Sequence, residues 1–585
     1  MVDLPNHSVI VGGLEFWAGD KERILEERLE NWLKKKLAGK LSQPELKLYA
    51  PPTKVEDESQ RTGVAVYQFP CWFLGQIDAT WKDHEGRVYR TRPLIPQGRL
   101  VKGGYLTEQR KHASVVPVRF VQACVRGHIS DIDWYAFVRR DFSTERTGNL
   151  WFDEGGAGSD LAETYVRDEK TGLRRPLSDA AIPDKKMLGT CRGCMPWLGP
   201  NYREECDKPN RILTRSASNV YFSQTVSVIS IPDRGEDLRK AIGRVWEDHL
   251  QYSESARDIA SERRRGKVSA ALAGFTDEEV WAEVDRRRGG LSSETGNIKD
   301  VEIETLLAQK DTIGEDKPEG DFFARSYPLG TLPSEARGRL ERLVLVHRLR
   351  EVIAQVGFTR FEAAMPGVDG ELDLEIELAP LARETTWLPA VQNRGEGIFL
   401  SFSASAIEAW RKRPDVEARG IQLLHGFDAW KHSKKLDKME FPGLPYVMLH
   451  SLSHLLITAL ALDCGYSASS LSERIYAGKS GYGILLYTGS SGSEGTLGGL
   501  VDMGKNIGRH LKRALELGRL CSNDPVCAQH EPRDTHEERF LHGAACHGCL
   551  LIAETSCERR NELLDRALVV PSVGTEGAAF FSEEV

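Results

Sequence analysis

Nine of the chain's 11 cysteines fall into two groups, and that clustering limits what the polypeptide around them can fold into. The C-terminal group is Cys521, Cys527, Cys546, Cys549 and Cys557. Its centre is Cys546-His547-Gly548-Cys549. Two thiolates so spaced bind one ion from a tight turn, and Gly548 permits that turn. Cys557 follows shortly after, and Cys521 or Cys527 closes a tetrahedron from the end of the preceding helix. Tetrahedral thiolate sites suit zinc or iron–sulfur chemistry, and zinc is the commoner structural choice. Which four of the five cysteines ligate stays open, with His530, His542 and His547 also close in sequence.

The second group is Cys124, Cys191, Cys194 and Cys206, with His128 just after Cys124. Cys191-Arg192-Gly193-Cys194 repeats the same turn, and the four cysteines suffice for a second zinc site. In both groups protein atoms fill all four positions, so the metal is expected to be structural.

With 585 residues the chain exceeds what one core organises. The expected fold class is mixed α/β (α+β), multidomain, with two cysteine-ligated zinc modules. Residues 1–110 read as a mixed N-terminal domain, and 111–235 as a β-rich domain holding the first zinc site. Residues 236–335 read as a charged helical insertion ending in the polar link 314–321, and 336–585 as an α/β domain holding the second site. The pattern predicts a first helix capped by Asp20, with Ile24, Leu25, Leu29, Trp32, Leu33 and Leu37 as its stripe. It predicts strands over 115–123, 219–231, 372–378, 398–402 and 482–487. It predicts helices over 449–460 and 500–515. A further long helix is expected with Leu343, Val346, Leu349, Ile353 and Val356 on one face, stopped by Gly357.

No familiar catalytic motif survives inspection. Gly478-Lys479-Ser480 resembles the end of a P-loop, but Glu473 occupies the position of its first glycine. His432-Ser433-Lys434 begins a phosphodiesterase-like pattern that Met439 breaks. Asp373, Glu375 and Glu377 alternate along a strand, and no lysine sits beside them as a nuclease site needs. His450 and His454 lie one helical turn apart without an intervening acid, so a packed pair is preferred to a metal site. The loop Thr488 to Gly499 follows a strand and opens a helix; it reads equally as a phosphate cradle or a flexible turn.

The formal net charge of −8 argues against a chain that binds nucleic acid over a wide surface on its own. The basic triplets at 34–36, 263–265 and 286–288 sit in mixed-charge helical stretches and read as solvated faces. Met1 to Gly13 lacks a basic start and a long apolar run, and no apolar stretch reaches membrane-spanning length, so a cytoplasmic location and no membrane contact are expected.

The segments RFVQACVRGHISDIDW (119–134), LGTCRGCMPWLGP (188–200), RSASNVYFSQTVSVISIP (215–232) and HRLREVIAQVGFTR (347–360) resemble the DrmB family, components of the DISARM antiphage defence system. Residues from about 445 to 570, ending CHGCLLIAETSCERRNELLDR, resemble the MrfA-type zinc-binding (MZB) domain. The resemblance implies zinc on Cys546, Cys549 and Cys557, with Cys521 or Cys527 as the fourth ligand. It implies a DrmA-like superfamily-2 helicase-like ATPase as partner, DNA shared with that partner, and a non-catalytic scaffold role. Relatives often carry an extra CxxC near QFPCWFLGQIDA (68–79); here only Cys71 is present, so that metal site is expected to be lost. The alternatives are a metal-dependent nuclease and a nucleic-acid-binding module acting alone.

Overall fold

The computed structural model describes residues 1–4, 7–38, 46–52, 63–107, 109–155, 160–182, 185–232, 238, 241–288, 297–362, 377–434, 436, 439–489, 499–533 and 539–582. The fold is mixed α+β, with a seven-stranded and a nine-stranded sheet as its two largest β assemblies.

The nine-stranded sheet is built on two long antiparallel strands, Leu340–Thr359 and Trp387–Phe402, paired from Leu340 opposite Phe402 to Ala354 opposite Ala390. This corrects the expected helix over 343–356. Both faces of the strand are covered, so residues of both parities are apolar and a helical spacing can be picked out of them. Leu343 and Leu345 pack into one core with the helix Leu444–Cys464. Val344, Val346 and Leu349 pack into another with the helix Ile298–Leu307. A register irregularity between Val346 and Leu349 brings Leu349 onto the second face and completes the false periodicity. Gly357 stops nothing; it lies within the strand and faces the adjoining strand Phe222–Ile229.

The hairpin Leu471–Gly478 and Gly481–Thr488 extends this sheet. The Gly478-Lys479-Ser480 tripeptide ends its first strand and makes its turn, with Gly478 opposite Gly481 and Lys479-Ser480 between them. Helix Leu444–Cys464 lies against the hairpin and ends at Gly465 in the left-handed conformation that a helix stop favours. It is long and apolar enough to cross a membrane, but 83% of its most apolar stretch is buried within the fold.

The seven-stranded sheet runs in the order Val115–Pro117, Trp72–Gly75, Val88–Pro96, Leu150–Glu154, Thr164–Asp168 and Arg174–Pro176, with Ala79–Lys82 also on Val88–Pro96. The expected strand 115–123 is two strands. Phe120–Ala123 leaves this sheet after Pro117 and pairs with Arg211–Thr214 and Ile129–Ser130. Its end delivers Cys124. The sheets cross the expected divisions: the seven-stranded sheet takes strands from both sides of residue 110, and Lys47–Tyr49 joins Trp387–Phe402 in parallel.

Other differences are local. The first helix is Glu27–Lys36, with Glu26 and not Asp20 at its N-cap, because Arg23–Ile24 is spent on a short strand. The helix expected over 500–515 is split into Gly499–Gly504 and Ile507–Gly518. The polar link 314–321 is a hairpin connection, since Thr312–Gly314 pairs with Phe323 to Arg325. The strand expected over 372–378 falls mainly outside the described residues, as does most of the loop Thr488 to Gly499.

The burial of Leu345 on the central strand sets an expectation. Leu345→Ala lowers stability by about 2–5 kcal/mol, the range for an aliphatic residue truncated in a core. Leu424→Ala, at a position 40% exposed, changes it by no more than about 0.5 kcal/mol. Urea midpoints of the two variants check this.

Candidate metal centres

The helix Ile507–Gly518 delivers Cys521 just beyond its end. A turn closed by the Cys527 N–H on the Asn523 carbonyl, 2.9 Å, then turns Cys527 back toward it. The buried guanidinium of Arg566 holds this loop to the helix end, donating to the Gly518 carbonyl at 3.0 Å and to the Asp524 carboxylate. Cys546 and Cys549 arrive from the other side on a turn closed by the Cys549 N–H on the Cys546 carbonyl, 3.1 Å.

The four sulfurs converge. Cys521 Sγ is 3.5 Å from Cys546 Sγ, Cys546 Sγ is 3.7 Å from Cys549 Sγ, and Cys527 Sγ is 3.8 Å from Cys549 Sγ. A tetrahedron of sulfurs at the usual zinc–sulfur distance has edges of about 3.8 Å, so these spacings suit one zinc ion. Backbone N–H groups of Asn523 and Gly548 point at Cys521 Sγ and Cys546 Sγ, at 3.4 and 3.3 Å. Burial disfavours the Cys546 thiolate, but hydrogen bonds from the Asn523 amide, the Cys521 thiol and the Gly548 N–H prevail and bring its thiol down to about 7. Cys557 is not one of the four. Nor are the histidines: His530 Nε2 is 3.2 Å from the Arg539 carbonyl, His542 Nε2 is 2.7 Å from the Asn561 carbonyl, and His547 is exposed.

The N-terminal group also rearranges. Cys124, His128, Cys191 and Cys206 come together, and Cys194 does not join them. His128 Nδ1 is 3.4 Å from Cys124 Sγ and 3.5 Å from Cys191 Sγ, and Cys124 Sγ is 3.9 Å from Cys206 Sγ. The other ring nitrogen, Nε2, meets the Glu204 carboxylate at 2.8 Å, the carboxylate–histidine arrangement that orients metal-bound imidazoles. A hydrogen bond from the Cys191 thiol leads over burial and, with His128, brings the Cys124 thiol down to about 4.

Two glycines make these turns possible. Gly127 has φ +83 and Gly193 φ +63, and a Cβ on Gly193 would meet the Glu204 carbonyl oxygen at 1.7 Å. That close approach brings Glu204 beside the site. It also commits the Cys194 backbone to the sheet side, where its carbonyl accepts from Ile129 N–H at 3.1 Å. The Cys194 side chain lines a separate cavity of about 380 Å³ together with Cys71. Burial, then the Asp131 carboxylate, push the Cys71 thiol up to about 11.

The sequence carried the signal for His128 in its spacing from Cys124, but the CxxC pattern drew attention to Cys194 instead. Of the acidic strand, Asp373 and Glu375 lie outside the described residues, and Glu377 pairs with Arg126 Nε at 2.8 Å. The two arrangements predict different variants. Cys194→Ser retains the zinc content of the wild type, whereas His128→Ala and Cys191→Ser each lose one zinc per chain by elemental analysis.

Comparison with known proteins adds the identity of the metal. Residues 452–550 match the MrfA Zn-binding domain, a span that includes Cys521, Cys527, Cys546 and Cys549 and stops before Cys557. With these clusters positioned for a metal, zinc is the cofactor. Residues 1–222 match a domain of unknown function, DUF8724. The DISARM protein DrmB of Bacillus paralicheniformis is 30% identical over 597 residues, covering 99% of this chain and 99% of that relative. End-to-end identity at this level, with the zinc-binding domain in its C-terminal part, means that the chain belongs to the DrmB family of DISARM proteins.

Proposed function

We propose that the chain is a non-catalytic, zinc-stabilised scaffold subunit of a DISARM-type antiphage complex, partnered by a superfamily-2 helicase-like ATPase and sharing DNA with it. The observation that carries this reading is the closed geometry of both cysteine-rich clusters. Each gathers four protein donors, Cys521, Cys527, Cys546 and Cys549 in one and Cys124, His128, Cys191 and Cys206 in the other. Filled coordination leaves no position for a zinc-activated water. The ion then serves the fold. Structural zinc in small peptides is worth roughly 10–16 kcal/mol, comparable with the roughly 5–15 kcal/mol that holds a whole domain together.

Further support comes from the P-loop-like tripeptide being a hairpin turn, and from the salt bridge that occupies Glu377. A motor on another chain would supply the ATP hydrolysis, and a net charge of −8 suits DNA contacts that are few and shared.

Two experiments test the reading. In cells carrying the other system components, Cys549→Ser is expected to abolish protection against phage, while Cys71→Ser retains it. The purified chain alone is expected to leave single-stranded DNA intact with magnesium present and to raise the ATPase rate of its partner. Magnesium-dependent cutting by the chain alone contradicts the proposal, and tight, steeply salt-dependent DNA binding without the partner favours a stand-alone binding module.

A further inference from the structure

Cys557, set apart from the other C-terminal cysteines, has different neighbours. His450 and His454 sit one turn apart on the helix Leu444–Cys464, Glu473 lies on the strand Leu471–Gly478, and Cys557 follows in the C-terminal segment. One ligand atom from each lies within 4.8 Å of all the others, and all four residues are buried. His450 Nε2 is 2.9 Å from Glu473 Oε1 and 3.1 Å from Cys557 Sγ; His454 Nε2 is 3.3 Å from the same Oε1.

The surroundings fix which atoms face inward. His450 Nδ1 meets the Leu563 carbonyl at 3.2 Å and His454 Nδ1 meets the Leu550 carbonyl at 2.9 Å. A carbonyl only accepts, so each Nδ1 carries a proton, and in a neutral ring Nε2 is then a bare lone pair. Two such lone pairs point at a carboxylate oxygen that already accepts from the Glu558 N–H at 3.2 Å. Glu473 also accepts from the Ser453 hydroxyl. Cys557 Sγ accepts from the backbone N–H groups of Arg559 and Asn561, at 3.3 and 3.2 Å, yet burial and the Glu473 carboxylate push the thiol up, so a thiolate here needs a cation beside it. Without a cation each ring nitrogen needs a proton of its own, from the thiol, from a protonated Glu473 or as an imidazolium, whereas one divalent ion satisfies both lone pairs, the carboxylate and the sulfur together.

We propose that His450, His454, Glu473 and Cys557 form a third metal site for a divalent ion of the zinc class. Two neutral imidazoles, one carboxylate and one thiolate balance a doubly charged ion, and a mixed nitrogen, oxygen and sulfur donor set suits zinc. The backbone after Cys557 carries the strain that ligation would hold: Arg560, Asn561 and Leu563 have φ of 54, 64 and 62. A cavity of about 470 Å³, lined by Glu473 and Cys557 among others, gives an ion a route to the buried donors. The site ties the core helix, the hairpin strand and the C-terminal segment at one point, separate from the four-cysteine cluster.

Elemental analysis of the full chain, purified without partner or DNA, tests the site. Three zincs per chain are expected, falling to two in Cys557→Ser and in Glu473→Gln. Cys549→Ser also loses one, and the Cys549→Ser, Cys557→Ser double variant loses two. Two zincs in the wild type, or an unchanged count in Cys557→Ser and Glu473→Gln, overturns the proposal. Should the variants fail to fold, cadmium NMR of the cadmium-substituted wild type decides. A third resonance, upfield of the two thiolate-rich ones, supports the site, and two thiolate-rich resonances alone overturn it. Because the count is read on the isolated chain, its failure leaves the scaffold reading standing.

Discussion

The antiparallel ladder between Leu340–Thr359 and Trp387–Phe402 is the constraint on which the rest of the structure depends. It buries both faces. On one side Leu343, Leu345, Ile398 and Leu400 meet the helix Leu444–Cys464; on the other Val344, Val346 and Phe399 meet Ile303 and Leu306. Toward its far end Val352 and Ala354 pack with Leu29, Trp32 and Leu33 of the first helix, and the neighbouring strand Phe222–Ile229 ties in the chain that follows the N-terminal cluster. Residues from distant parts of the sequence therefore share one sheet.

Around this sheet, irregular chain has to be held without much regular hydrogen bonding. The segment from Cys521 to Phe581 contains only short 3-10 turns as regular structure among its described residues. It is fixed instead by a few buried polar links. Arg566 reaches Gly518 and Asp524, and Arg419 donates to Asp565 at 2.7 Å with both side chains buried. Breaking such a buried pair by removing one partner costs roughly 3–5 kcal/mol, because the other charge is left stranded. Zinc held by the four cysteines, as proposed, would do the same work with more energy, which is why a metal staple suits this part of the chain.

Much of the metal chemistry was legible in the sequence because CxxC turns are local. Cys546 and Cys549 stand together as their spacing implies, and Cys521 and Cys527 both lie beside them. What the sequence could not carry was the long-range sorting. Cys557 follows Cys549 closely along the chain but is drawn to His450 and Glu473 by the packing of its segment against the core helix. Cys194 looks equivalent to Cys191, yet Gly193 packs against Glu204 and sends the two side chains to different places. The helical misreading of residues 343–356 has a related origin: period alone does not separate a strand buried on both faces from a helix.

In the proposed function the zinc in this chain holds structure and performs no chemistry. Zinc-edge X-ray absorption of the full chain, recorded alone and again with the proposed ATPase partner, DNA and nucleotide, tests it most directly. The account predicts a four-coordinate, on average sulfur-rich, shell that does not change between the two states. A water or phosphate oxygen entering the zinc shell when DNA and partner are added would contradict it.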